Sequence, residues 1–418
     1  MNKRSPFLRI ALCLALAGLT AAAFGQSAIR IRIGTAAPEG SIWHEVLQQM
    51  EQDWERIAPD RLNVTIYPGG SQGDEAAMLG RVRTGLLQGV ALSGAGLSQA
   101  DDGVSALLVP MMLASWEELD YVWERLTPTL EQRLEREGFV VLNWGDVGWV
   151  YFFTKRPART PDDVRGMRLF TSAGDPETER LYREFRFNPV PMSVTDMLPN
   201  LVTGVIDAFS VPPLFALADQ SFSQAPHLLD MKWAPLVGAT LIRRDTWEQI
   251  PEDLRPRLLQ AAREAAERRR EEIRLLGDSS IDVMKDNGLG ITPVDRRLRR
   301  LWRTEAENAW DAIRGTMAPA GLFDEVLRLR ARFRSAKIEN LLIEANATDT
   351  PVALRRIYST ILDELDPEHG AATAGLIAAL MDIAGDTDDA GERRSLYTEV
   401  LDLDPDHEAA GRGLAAIE

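Results

Sequence analysis

From Ile29 onward the chain alternates short strand-like and helix-like segments, and this order constrains the fold more than any other feature. Ile29, Ile31 and Ile33 alternate with Arg30 and Arg32 before Gly34, the period of a half-buried strand ending in a loop. Residues 41–57 then place Ile42, Val46, Met50, Trp54 and Ile57 at helical spacing, with Ser41 as N-cap. Leu62–Tyr67 reads as a second strand, residues 73–87 as a second helix, and Gly89–Ser93 as a third strand. Strand-helix-strand-helix-strand order calls for a mainly parallel sheet covered by helices.

The same grammar returns further on. Residues 139–144, 149–154 and 167–171 read as strands, 175–185 as a helix, 195–203 as a helix and 204–209 as a strand. Two α/β lobes joined by several crossing segments fit this better than one continuous sheet. After Trp247 the pattern turns helical, with a long amphipathic run over residues 254–276 rich in paired Arg and Glu, and helices continuing to about Phe333. The charges of Arg263 to Arg274 read as a solvated helix face.

A chain of 418 residues exceeds what one core encloses, so two or three domains are expected. The formal net charge of −16 repels a nucleic-acid backbone over most of the surface, which excludes nucleic acid as a partner. Residues 1–25 follow the plan of a cleaved secretory signal: basic Lys3, Arg4 and Arg9, an apolar run from Ile10, and small residues near Ala23 and Gly25. That run is shorter than the ~20 residues a spanning helix needs, so cleavage and export are expected rather than retention as an anchor. Cys13, the only cysteine, lies inside the run, leaving the mature chain without disulfides or thiolate metal sites.

No catalytic constellation assembles. There are four histidines, and His44-Glu45 lacks the second histidine of a zinc-protease helix. There is no Gly-x-Ser-x-Gly elbow and no phosphate loop, and Gly94-Ala-Gly96 lacks the third glycine of a dinucleotide fingerprint. The reading is therefore a binding protein without cofactor or metal, not an enzyme.

Thr35-Ala-Ala-Pro38 with Trp43, the turn Tyr67-Pro-Gly-Gly-Ser-Gln-Gly-Asp74-Glu75, Thr84-Gly85 through Ser93, Pro161-Asp-Asp-Val-Arg-Gly166-Met-Arg168-Leu169, Asn188-Pro-Val-Pro-Met192 and Leu201-Val-Thr-Gly204-Val-Ile-Asp207 follow one another in order. Over about Ile31 to Gly315 this resembles the substrate-binding subunits of TRAP (tripartite ATP-independent periplasmic) transporters. The resemblance implies an α/β, two-lobed periplasmic-binding-protein fold over residues 26–338, with crossing strands and a long lobe-spanning helix. It also implies a periplasmic receptor that delivers a small organic ligand to integral membrane TRAP subunits.

The resemblance further implies that Arg168, two residues after Gly166, forks onto a ligand carboxylate, as a planar guanidinium does well. Ala37, Asp74 and Ser93 fall in the first-lobe ligand segments. Two departures remove polar contacts from the expected cleft: Val150 stands where the family commonly has arginine, and Val211 where it has asparagine. With Phe170, Tyr151, Phe209, Phe215 and Trp233 as candidate walls, the expected ligand is a monocarboxylate with an apolar body.

Residues 339–418 differ in kind. Tyr358, Asp366-Pro367, His369 and Gly375 are echoed by Tyr397, Asp404-Pro405, His407 and Gly413, which resembles a pair of tetratricopeptide-like repeats. Two repeats are too few for independent stability, so this all-α tail is expected to lean on the main domain or on another subunit, through self-association or an envelope protein. The rival reading is an envelope scaffold whose cleft has lost its ligand and whose tail does the work.

Overall fold

The computed structural model describes residues 28–417; the expected signal segment and Cys13 lie outside the described residues. The strands among them are β1 (Ile29–Thr35), β2 (Leu62–Tyr67), β3 (Gly89–Ser93), β4 (Phe139–Thr154), β5 (Arg168–Ser172), β6 (Asn188–Met192), β7 (Ala208–Val211), β8 (His227–Leu229), β9 (Ala234–Arg243) and β10 (Gly290–Thr292). Their order is β2-β1-β3-β9-β4-β7-β5-β6, with β8 beside β4 and β10 beside β8. The first lobe holds the parallel set β2-β1-β3, the second the parallel set β6-β5-β7.

The two sets are joined by β4 and β9, which run antiparallel along most of their length. Residues 139–154 form one strand where two were expected. Register shifts between Val141 and Asn143 and between Asp146 and Gly148 interrupt the alternation and let the strand bend from one lobe into the other. β9 was not expected as a strand at all; Ala234 to Ile242 is almost wholly buried and shows no alternation.

Helix α1 (Ile42–Ile57) is capped by Ser41, whose side chain accepts from the His44 amide. Its buried Trp54 donates to the Leu258 carbonyl at 2.9 Å, anchoring it on α4 (Arg255–Asp286). At 32 residues α4 is about 48 Å long. It packs against α1 in the first lobe, along β4, and against the short helix Pro213–Ala218 that follows β7 in the second, so it does span both lobes.

Helix α5 (Arg296–Ile313) covers the second lobe, and α6 (Ala320–Asn346) leads into the tail. The boundary expected at 338/339 falls within α6. Beyond it α7 (Pro351–Thr360), α8 (Gly370–Asp386), α9 (Ala390–Leu403) and α10 (Glu408–Ala415) enclose their own apolar cluster around Ile361, Leu376, Leu380 and Val400.

The two halves of the tail repeat each other in detail. His369 and His407 each cap the next helix through Nδ1, accepting from the Ala372 and Ala410 amides at 3.2 Å. A Cβ placed on Gly375 or Gly413 would come within 2.4 Å of the Tyr358 or Tyr397 ring respectively. Only glycine lets each tyrosine lie flat on the helix. Between Tyr358 and Asp366 lies one residue more than between Tyr397 and Asp404, and a π-helical turn over Ile361–Leu365 absorbs it.

The tail docks through one buried and two half-buried ion pairs. Arg334 on α6 donates from Nε at 2.5 Å and Nη2 at 3.1 Å to the fully buried Glu118 of α3 (Trp116–Arg136), and from Nη1 to the Leu365 carbonyl. Arg296 on α5 pairs with both Asp363 and Glu399.

Candidate ligand-binding cleft

The C-terminal ends of the parallel strands of both lobes point at one another, the place where open α/β sheets bind ligands. Between them lies a cavity of about 580 Å³. The first lobe contributes Ala37, Trp43, Asp74, Glu75 and Ser93; the crossing strands contribute Asp146, Val150 and Gly238, with Trp233 just before β9; the second lobe contributes Phe170, Thr171, Tyr182, Val211 and Phe215. Trp43 bridges the lobes: its Nε1 donates to the Asp146 carbonyl at 3.2 Å, and its ring lies 6.5 Å from that of Phe215.

Eight of the expected site residues line this cavity: Ala37, Asp74, Ser93, Val150, Phe170, Val211, Phe215 and Trp233. Tyr151 and Phe209 do not. Both belong to the core, Phe209 stacked on Phe153 at 4.9 Å, and burial pushes the Tyr151 hydroxyl well above its usual range.

Arg168 is also outside the cavity, which corrects the expectation of a carboxylate clamp there. It opens β5, at the N-terminal end of a parallel strand, whereas the cavity lies off the other end at Phe170–Ser172. Its guanidinium is already forked onto Asp207, Nε at 2.7 Å and Nη2 at 2.8 Å. Arg168 beside it holds the Asp207 carboxyl below the usual carboxylate range.

Several lining groups had no place in the expected site. Glu75 accepts from the Ser93 amide at 2.5 Å and from its hydroxyl at 2.7 Å, and burial raises its carboxyl despite those bonds. Asp146 is buried; Oδ2 accepts from Arg274 at 2.6 Å while Oδ1 has no partner. Thr171 Oγ1 is likewise unpartnered. Tyr182 lies beside Trp233 and Ser210, and burial lifts its hydroxyl to about 12. The signal for Asp146 was a lone carboxylate inside the apolar run of β4; the others depend on neighbours far apart in sequence. No group of metal-ligating side chains occurs among the described residues.

The chain matches the bacterial extracellular solute-binding protein family 7 over residues 33–315. It is 24% identical to a solute-binding protein of Chromohalobacter salexigens over 248 residues, 56% of this chain and 70% of that one. It is 20% identical to the sialic acid-binding periplasmic protein of Vibrio cholerae over 298 residues, 68% and 89% respectively. Among solved structures, a TRAP periplasmic solute-binding protein from Shewanella oneidensis with bound succinate superposes with a TM-score of 0.68 at 14% identity, covering 72% of this chain and 99% of that one. One from C. salexigens with bound D-glucuronate gives 0.66 at 18%, covering 72% and 98%. With the two-lobed fold and inter-lobe cavity in place, the chain belongs to family 7 of the bacterial extracellular solute-binding proteins, a family of solute-binding proteins rather than enzymes.

Proposed function

We propose that this chain is the periplasmic receptor of a TRAP-type uptake system for a small organic ligand with an apolar body, which it delivers to integral membrane subunits. The observation that carries the reading is the cavity of about 580 Å³ between the lobes, within the range of small-molecule sites and walled by Val150, Phe170, Val211, Phe215 and Trp233. Closure of the lobes by hinge motion would bury the ligand and create the surface that docks on the transporter. The relatives' acids belong to those proteins. For this chain a monocarboxylate loses its main support with Arg168 outside the cavity. The test is thermal unfolding of stripped protein against fractionated small molecules of its own host. The fraction holding the ligand stabilises the fold by about 2.7 kcal/mol at a hundredfold excess over Kd. If no fraction moves the transition, the receptor reading fails.

The tail supports a second element of the reading. Its duplicated tyrosine-on-glycine packing and histidine caps favour a tetratricopeptide-like pair, a module whose stacked helices offer a face to a second copy or an envelope protein. Sedimentation of the full chain separates these: a concentration-dependent dimer supports self-association, and a monomer at all concentrations removes it.

A further inference from the structure

We infer that the solute of this cavity is uncharged: an apolar molecule whose polar part is a hydroxyl or carbonyl oxygen, received by hydroxyls of the second lobe. The inference rests on the receptor reading above and names the ligand's chemical class. Its first ground is a row that four neighbouring strands present to the cavity. Across β9, β4, β7 and β5, adjacent in the sheet, Ala234, Val150, Val211 and Phe170 line it in turn, with Trp233 just before the first. Phe215, on the short helix after β7, adds a further apolar wall, its ring 6.5 Å from that of Trp43. Such a surface gains by covering hydrocarbon.

The second ground is that the charges in the wall are already answered within the chain. Asp74 and Asp175 cap helices, accepting from the Ala77 and Thr178 amides. Asp102 pairs with Arg133, and Glu177 with Arg180. The Asp146 carboxylate has no exposed surface and is turned onto Arg274, and Glu75 is bonded to the amide and hydroxyl of Ser93. No Arg, Lys or His is among the described residues lining the cavity. A carboxylate solute would therefore enter without a counter-ion, and an ammonium would have to break a bond already made. Either is a charge taken out of water without a partner, which is costly.

Burial acts in the same direction on the wall itself. It raises the carboxyls of Glu75 and Asp146 and the hydroxyl of Tyr182, each toward its uncharged form. A site that disfavours charge on its own groups disfavours it on a solute as well.

What the second lobe offers instead is hydroxyls. Ser172 ends β5, Ser210 precedes Val211 on the neighbouring β7, and Tyr182, on the helix Pro176–Glu184, lies beside Ser210. All three are half-buried and line the cavity. In the first lobe, by contrast, the Ser93 and Ser98 hydroxyls are donated to Glu75 and to the Ala95 carbonyl. A hydroxyl both donates and accepts, so it pairs with an alcohol or a carbonyl without a charge on either side.

The experiment uses the full chain, stripped of bound solute, and the small-molecule extract of its host passed at neutral pH over a strong anion exchanger and then a strong cation exchanger. The unretained pool raises the unfolding temperature of the chain, and the two eluted pools leave it where it was. Tyr182→Phe and Ser210→Ala each need about three- to tenfold more of the unretained pool for the same shift, the effect of one neutral hydrogen bond. Stabilisation by the eluate of the anion exchanger makes the solute an acid and overturns the inference. Stabilisation by the eluate of the cation exchanger makes it an amine and does the same. An unchanged requirement in both variants removes the hydroxyls from the site. Failure of the underlying reading looks different: no pool, retained or unretained, then moves the transition.

Discussion

Replacement of Arg334 by Met tests whether the tail is an integral part of the receptor. Arg334 is 10% exposed and Glu118 0% exposed in their side chains. The guanidinium makes two bonds to the carboxylate and one to the Leu365 carbonyl, while the Ala114 amide gives Glu118 a further donor at 2.7 Å. Truncating one member of a buried pair strands the other charge and typically costs about 3–5 kcal/mol. Part of that returns here: burial first, and then the nearby Arg334 charge, depress the pKa of Arg303 and Arg330, and loss of Arg334 relieves the repulsion. A net loss of roughly 3 kcal/mol remains, a fall of about 1 M in urea midpoint for an m value near 3 kcal/mol/M. The assay is urea unfolding followed by tryptophan fluorescence, with the double variant Glu118→Leu/Arg334→Met alongside. The pair is coupled, so the double variant recovers more than half of the loss. A single variant within about 1 kcal/mol of the parent, or a double variant no better than the single, refutes the docking argument.

Three further predictions follow from particular contacts. Gly375→Ala forces a methyl into the Tyr358 ring and destabilises the tail by about 1–3 kcal/mol, and Tyr358→Leu restores it; limited proteolysis of the tail reads both. Arg168→Ala leaves ligand affinity unchanged, since the side chain is outside the cavity and committed to Asp207; a tenfold loss in calorimetric affinity contradicts that placement. Glu75 is held above its ordinary value by burial, so the folded chain binds this proton more tightly than the unfolded one. The sign is then fixed: stability is greatest below the unfolded value of about 4.5 and declines as pH rises through the raised folded value. Glu75→Gln flattens that part of the curve, and unfolding temperatures that show the same pH slope in both proteins sink the assignment.

Much of the framework was legible in the sequence because its signals are local. Ile29, Ile31 and Ile33 alternate as β1 does, and Ser41 caps the helix it precedes. The paired histidines and tyrosines of the tail recur in space as they do in the chain. The failures share a cause, which is that strand position and burial are properties of the assembled sheet. β4 was divided in two because its register shifts hide a continuous strand, and β9 was passed over because burial on both faces erases alternation. It is the family resemblance that puts Arg168 in the site, and the sequence pattern does not say which end of a parallel strand faces the cleft. The topology does, and it selects Phe170 and Thr171 two and three residues later. Glu75 and Asp146 acquire their meaning from what surrounds them: Ser93 for one, and for the other an arginine already shared with Asp120.

The most direct measurement of the central claim is native mass spectrometry of the chain freshly purified from its host, beside the variant Val211→Trp. Val211 lines the cavity, so the indole occupies the space assigned to the ligand. The account predicts a small-molecule adduct on the parent chain that disappears on mild activation and is absent from the folded variant. An adduct retained in full by Val211→Trp, or a parent chain that is empty on every preparation, would contradict capture of a solute between the two lobes.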